Sequence, residues 1–173
     1  MKRHYERALA IDETAYGPDH PDVAASLNNM GDALDDAGDL TGAREHFQRA
    51  LSIGEAVYRP SHPKVATLLN NLGSVLQNTG DLAQEMEHFQ RALSIDEAAY
   101  GLHHPKVAIR INNLGSVLRD IGDLAGAREY FQRALDIFRD RLGEGHPNTI
   151  DVSNNLTVLE RLADHPNPSH PNN

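Results

Sequence analysis

Ten histidines are the first residues in this chain to suggest chemistry, since imidazole can ligate a metal or carry a proton. Four of them, His20, His62, His104 and His146, stand just before a proline and recur every 42 residues. In a stack of helix pairs with axes 8–10 Å apart, successive copies would be separated by roughly 20 Å. Shared coordination at ~2 Å is then impossible, and a structural role in a loop is expected. His103-His104, and His165 with His170, could catch a metal only adventitiously. Asp35 and Asp36 are adjacent, so on a helix they point ~100° apart and form no facing carboxylate pair. Ser, His and Asp occur in no arrangement that suggests a triad, and neither a G-x-x-x-x-G-K-[ST] loop nor an H-E-x-x-H helix is present. With no cysteine, thiolate catalysis, disulfides and Cys-type zinc sites are excluded. These residues predict no enzyme, no cofactor and no metal site. Asn155-Leu156-Thr157 matches a glycosylation sequon, but within a predicted helix it reads as accidental.

What remains is a recurring amide pair. Leu27-Asn28-Asn29-Met30-Gly31 returns as Leu69-Asn70-Asn71-Leu72-Gly73 and as Ile111-Asn112-Asn113-Leu114-Gly115, with a weaker copy at Ser153-Asn154-Asn155-Leu156-Thr157, each 42 residues after the last. A fixed period of this size implies a stack of identical supersecondary units rather than a single globule. The fold class expected is all-α, built of antiparallel helix pairs.

The elements that must position those amides follow from the same register. A first type of helix, A, is predicted over about 21–37, 63–79, 105–121 and 147–163, each opened by His-Pro, because proline suits a first helical turn. Val23, Leu27, Met30 and Leu34 make one apolar stripe, and Ala25, Asn28, Asn29, Asp32 and Asp36 fall on the other side. Gly31, Gly73 and Gly115 lie inside a helix, where each costs ~1 kcal/mol against alanine. Close approach of a second helix is the expected return. The turns Gly38-Asp39, Gly80-Asp81 and Gly122-Asp123 stop helix A and cap a helix B over about 40–58, 82–100 and 124–142. Tyr5-Glu6-Arg7-Ala8-Leu9-Ala10-Ile11 matches Phe47 to Ile53, so residues 2–16 read as a helix B lacking its own A helix. That suggests a fragment of a longer array or a misplaced start. After Ala163 the run of Pro and Asn predicts a disordered tail over 164–173.

Two departures stand out. Glu85 replaces the small Ala43 and Ala127, beside Met86 in place of Arg44 and Arg128. Local distortion of the second unit is expected there. In the last A helix, Ser153, Thr157 and Glu160 replace Leu27, Gly31 and Leu34, as in a terminal capping element that packs no helix B of its own.

Composition adds bounds. The formal charge of −9 opposes nucleic-acid binding. Hydrophobic content of 39% with 5% aromatic residues is lean but adequate for a thin helical stack. The N-terminus lacks the apolar core of a signal peptide, and no apolar run reaches membrane-spanning length. A cytoplasmic location is the expectation.

Leu27, Met30-Gly31, Leu34, Ala43, Phe47 and Ala50 fall at the spacing of tetratricopeptide repeat (TPR) signature positions. The 42-residue length, the Leu-Asn-Asn-Leu-Gly core and the His-Pro loop resemble the kinesin light chain type. It departs in having Leu27, Leu69 and Ile111 where Trp is common, and Leu34, Leu76 and Leu118 where Tyr is common. The resemblance implies a right-handed TPR superhelix, an α-solenoid, that holds a protein or peptide along the concave face lined by A helices. The residues it implies as ligand contacts are Asn28, Asn29, Asn70, Asn71, Asn112, Asn113, Asn154 and Asn155, the second of each pair above all. Asp32, Asp35 and Asp36, Ser74, Gln77 and Asn78, and Ser116, Arg119 and Asp120 would tune specificity. A purely structural amide ladder stays open beside the ligand role. Two other readings also stay open: weak self-association through the orphan terminal helices, and a regulatory segment of a larger signalling protein.

Overall fold

The structure, a computed structural model, describes residues 2–164, with the side chains of Lys2, Asn78 and Thr79 outside the described set. The tail expected to be disordered thus lies outside the described residues from position 165, while Asp164 closes the last helix. Among the described residues eight helices follow one another: α1 (Lys2–Tyr16), α2 (Pro21–Asp36), α3 (Leu40–Val57), α4 (Pro63–Thr79), α5 (Leu82–Tyr100), α6 (Pro105–Ile121), α7 (Leu124–Leu142) and α8 (Pro147–Asp164). There is no strand among the described residues. The A helices are α2, α4, α6 and α8, and the B helices are α1, α3, α5 and α7.

The helix boundaries come from side chains that satisfy free backbone groups. His20, His62 and His104 are N-caps with extended backbone, and each is followed by proline at the first helical position. Their Nδ1 atoms accept from the amides of Asp22, Lys64 and Lys106 at 3.1–3.2 Å, and His146 does the same for Asn148. An imidazole here does the work usually left to Ser or Asp. Asp39 and Asp123 cap α3 and α7 by accepting from the amides of Gly42 and Gly126. Gly80 and Gly122 end α4 and α6 in the left-handed conformation.

The chain divides into two compact units, Met1–Ala99 and Tyr100–Asn173. In the first, Val23, Leu27, Met30 and Leu34 of α2 pack with Ala43, Phe47 and Ala50 of α3, and the core continues through Val65, Leu69, Leu72 and Leu76 of α4. In the second, Val107, Ile111 and Leu114 of α6 are buried, as are Ala127, Phe131 and Ala134 of α7 and Val152 and Leu159 of α8. The interior glycines have the expected reason. A Cβ on Gly31 would lie 2.6 Å from the Phe47 ring, on Gly73 2.7 Å from Phe89, and on Gly115 2.7 Å from Phe131. In each pair the aromatic ring of helix B lies on the bare backbone of helix A.

The second unit of sequence corrects one expectation. Glu85 does not reach water, with 0% of its surface exposed, yet α5 runs unbroken from Leu82 to Tyr100. Asp81 accepts from the Gln84 amide at 3.3 Å and from Gln84 Nε2 at 2.6 Å.

Candidate functional site

The amide pairs lie on the A-helix face, where the structure gives them a geometry that sequence did not supply. Asn71 Nδ2 donates to Asn28 Oδ1 at 3.0 Å, joining α4 to α2. In the second unit Asn155 Nδ2 donates to Asn112 Oδ1 at 3.0 Å, joining α8 to α6. Within each unit, the second Asn of the later A helix therefore reaches back to the first Asn of the A helix before it. This is the ladder reading, and it uses the donor that a ligand would otherwise take. Asn70 donates weakly to Asn71 Oδ1 at 3.4 Å, and Asn113 is half-buried and is not a free amide.

Two amides differ from the rest. Asn29 and Asn154 are exposed, whereas the other six are half-buried. Asn29 lines two cavities of the first unit. One, of about 230 Å³, lies between α2 and α4, floored by Ala24, Ala25 and Leu68 and edged by Lys64 and Thr67. The other, of about 110 Å³, is enclosed by Tyr5, Asp32, Ala33 and Asp36.

The residues expected to tune specificity divide in the same way. Asp32 accepts from Asn28 Nδ2 at 3.3 Å and Asn71 Nδ2 at 3.4 Å, which ties it to the ladder. Burial, then the negative charges of Asp36 and Asp35, push its carboxyl above the ordinary aspartate range. Ser74 and Ser116 turn inward and donate to the carbonyls of Asn70 and Asn112. Arg119 is committed to Asp120 at 2.9 Å through both Nε and Nη2. Asn78 is carried on α4, but its side chain is outside the described set.

A more voluminous groove than either cavity is elsewhere. About 980 Å³ in volume, it lies between α7 and α8 and is lined by Arg128, Gln132, Asp136, Arg141, Leu156 and Glu160, away from the amide face. Its walls carry both signs of charge. Among the described residues no group of three or more His, Cys, Asp or Glu could hold a metal ion, and no helix is long and apolar enough to cross a membrane.

One feature of the loops went unread in the sequence. Tyr16, Tyr58 and Tyr100 stack on His20, His62 and His104, with ring centroids 4.6–5.0 Å apart. Lys64 and Lys106 then lie over Tyr58 and Tyr100 and donate to their hydroxyls. The signal was available, a tyrosine four residues before each of three capping histidines.

The comparisons agree with this architecture. The description "Tetratricopeptide repeat" matches residues 2–56, 36–98, 65–140 and 106–170. A solved protein of Podosopora anserina, described as a kinesin light chain with nearly identical TPR-like repeats, is similar at a TM-score of 0.78 and 19% identity over 95% of this chain and 78% of that one. BtubC (BKLC) from P. vanneervenii is similar at 0.74 and 22%, over 98% of this chain and 74% of that one. The N-terminal domain of stress-induced protein-1 (STI-1) from C. elegans is similar at 0.58 and 21%, over 81% of this chain and 96% of that one. No curated protein matches. Repeat length, helix pairing, the glycine–phenylalanine contacts and the family match together make this chain a member of the tetratricopeptide repeat family.

Proposed function

We propose that the chain is a non-catalytic protein-binding module that takes a segment of a partner protein in extended form along its A-helix face. The observation that carries this is Asn29. It is an exposed amide shared by the two cavities of the first unit, with the small Ala25 beside it. A primary amide can both donate to and accept from a peptide backbone, so it holds a segment without demanding a particular side chain. Asn28 and Asn71 support the face instead of facing a ligand, because their bond fixes α2 against α4. In the second unit Asn112 and Asn155 form the same kind of support, joining α6 to α8. TPR proteins as a family bind other proteins, which agrees with this reading.

The test is pull-down with peptide mapping to identify a binding segment, then amide chemical-shift mapping with that peptide. Shifts are expected on α2 and α4 around Asn29, and Asn29→Ala should weaken binding about 5-fold, the size of one lost hydrogen bond of ~1 kcal/mol. Shifts confined to α3 and α5, with unchanged affinity in Asn29→Ala, would remove the A-helix face from consideration.

A further inference from the structure

The last A helix departs from the other three on one face. At the positions of Ala24, Ala66 and Ala108 it has Ile150, at those of Asp32, Ser74 and Ser116 it has Val158, and at those of Asp36, Asn78 and Asp120 it has Leu162. Ile150, Val158 and Leu162 are 48%, 43% and 42% exposed, and Asn154 is exposed between them. At ~100° per residue these four residues form one stripe, opposite the buried Thr149, Val152 and Leu159. The stripe therefore faces directly away from the packed side of α8.

What covers this stripe is constrained by its own residues. The alanines at the position of Ile150 are 0–3% exposed, so an A helix stacked in register needs a small residue there. Ile150 is too large for that contact. A helix B docked in register against α8 is opposed as well. Thr157 stands where Gly31 admits the Phe47 ring, and Glu160 stands where Leu34 is buried. Arg139 takes the place of Glu55, which pairs with Arg91 of the following B helix, and it is instead tied to Glu144. Head-to-tail stacking through α1 is therefore disfavoured at three points.

An antiparallel pairing has none of these conflicts. We propose that α8 pairs antiparallel with α8 of a second copy of this chain about a two-fold axis at Asn154. Ile150 then lies opposite Val158 of the second copy, and Asn154 opposite its own equivalent, where two amides can bond reciprocally. The charges are complementary. Asp151 and Arg161 of the second copy lie about 6 Å apart along the axis at ~1.5 Å per residue, within reach of an arginine side chain, and symmetry makes two such pairs. Both residues are exposed. A single helix face falls short of the ~1,200 Å² of typical stable complexes, so this dimer is weak and exchanges readily.

The chain has no cysteine, so one engineered thiol is a clean probe. A disulfide requires Cα atoms within about 4.4–6.8 Å, which residue 154 and its equivalent satisfy across such an axis, and charge reversal at Asp151 and Arg161 distinguishes antiparallel from parallel pairing. Asn154→Cys in the full chain should form a covalent dimer under mild oxidation at least ten times faster than Ser52→Cys, placed on the exposed side of α3. Adding Asp151→Arg or Arg161→Asp should slow cross-linking towards the control rate, and both together should restore it. Circular dichroism of every variant checks that the helices are intact. Equal rates for the two thiols, or a double charge reversal that fails to restore the rate, overturns the proposal and leaves the stripe to a helix of another protein.

Discussion

Asn71 reaches back across one repeat, its Nδ2 donating to Asn28 Oδ1 at 3.0 Å. Both residues are half-buried, so the bond is partly screened from water. Its loss leaves an amide oxygen on α2 and removes a donor from Asp32, which Asn71 also contacts at 3.4 Å. Asn71→Ala should therefore lower stability by about 1 kcal/mol, read as a shift in the denaturant midpoint. Asn29→Ala, at an exposed amide, should leave the midpoint within ~0.5 kcal/mol of the wild type. If both variants unfold alike, the ladder has no energetic weight.

The Phe89 ring lies against the backbone of Gly73, where an added Cβ would approach to 2.7 Å. Phe89 is buried, which leaves its ring little room to swing aside. Overpacking of this kind costs about 1–3 kcal/mol. The better helix propensity of alanine returns roughly 1 kcal/mol. Gly73→Ala is expected to destabilise by about 1–2 kcal/mol, and the pair Gly73→Ala with Phe89→Leu should show positive coupling in a double-mutant cycle. A stabilised single variant would contradict the close approach.

Much of this fold was legible in the sequence, for reasons that are local. His-Pro and Gly-Asp are short signals whose geometry does not depend on distant residues, and the helices begin and end within one residue of where those signals put them. The glycine inside each of the first three A helices was a cost without a local benefit, and its benefit proved to be a phenylalanine on the next helix. The direction of the amide bonds was not legible. Each joins residues 43 apart, and either amide could donate. The burial of Glu85 was not legible either, because exposure of one position depends on how neighbouring helices close over it. Of the candidate site, the face was readable from helical spacing. Which amide on it stays exposed was set by the stacking of repeats.

His62 caps α4 through Nδ1 and stacks on Tyr58 with centroids 5.0 Å apart. Replacing it with alanine removes the acceptor for the Lys64 amide, at a cost of about 1 kcal/mol. His62→Asn keeps a capping acceptor and should recover most of the loss, while Tyr58→Leu keeps the cap and loses the ring contact together with the Lys64 interactions. Thermal unfolding of the three variants separates cap from stack. Equal loss in the alanine and asparagine variants would mean that capping is not the main contribution.

Arg59 has φ +24°, the one non-glycine residue with positive φ among the described residues. Gly17, Gly101 and Gly143 occupy the same place in the other repeats, with φ of +87°, +80° and +86°. A side chain in this region costs roughly 1–2 kcal/mol, and the greater freedom of glycine in the unfolded chain offsets about half of that. Arg59 is exposed, and its carbonyl accepts from the His62 amide at 3.0 Å, a bond that glycine keeps. Arg59→Gly is therefore expected to stabilise by about 0.5–1 kcal/mol in chemical denaturation. An unchanged or lower midpoint would show that the guanidinium side chain has a compensating contact.

Asp32 carries the pH dependence of the amide face. Burial, reinforced by Asp36 and Asp35, raises its carboxyl above the ordinary 3.8 in the folded state. The folded protein therefore binds the proton more tightly than the unfolded chain does. The stabilisation from protonation is fully present below the ordinary value and is lost as pH rises through the folded one, so at neutral pH the charged carboxylate weakens the fold. Asp32→Asn removes that charge and keeps an oxygen able to accept from Asn28 or Asn71. It should raise the melting temperature at pH 7, and its advantage over the wild type should shrink as the pH is lowered towards 4. An advantage that is absent at pH 7, or that grows on acidification, would reverse the assigned direction of the shift.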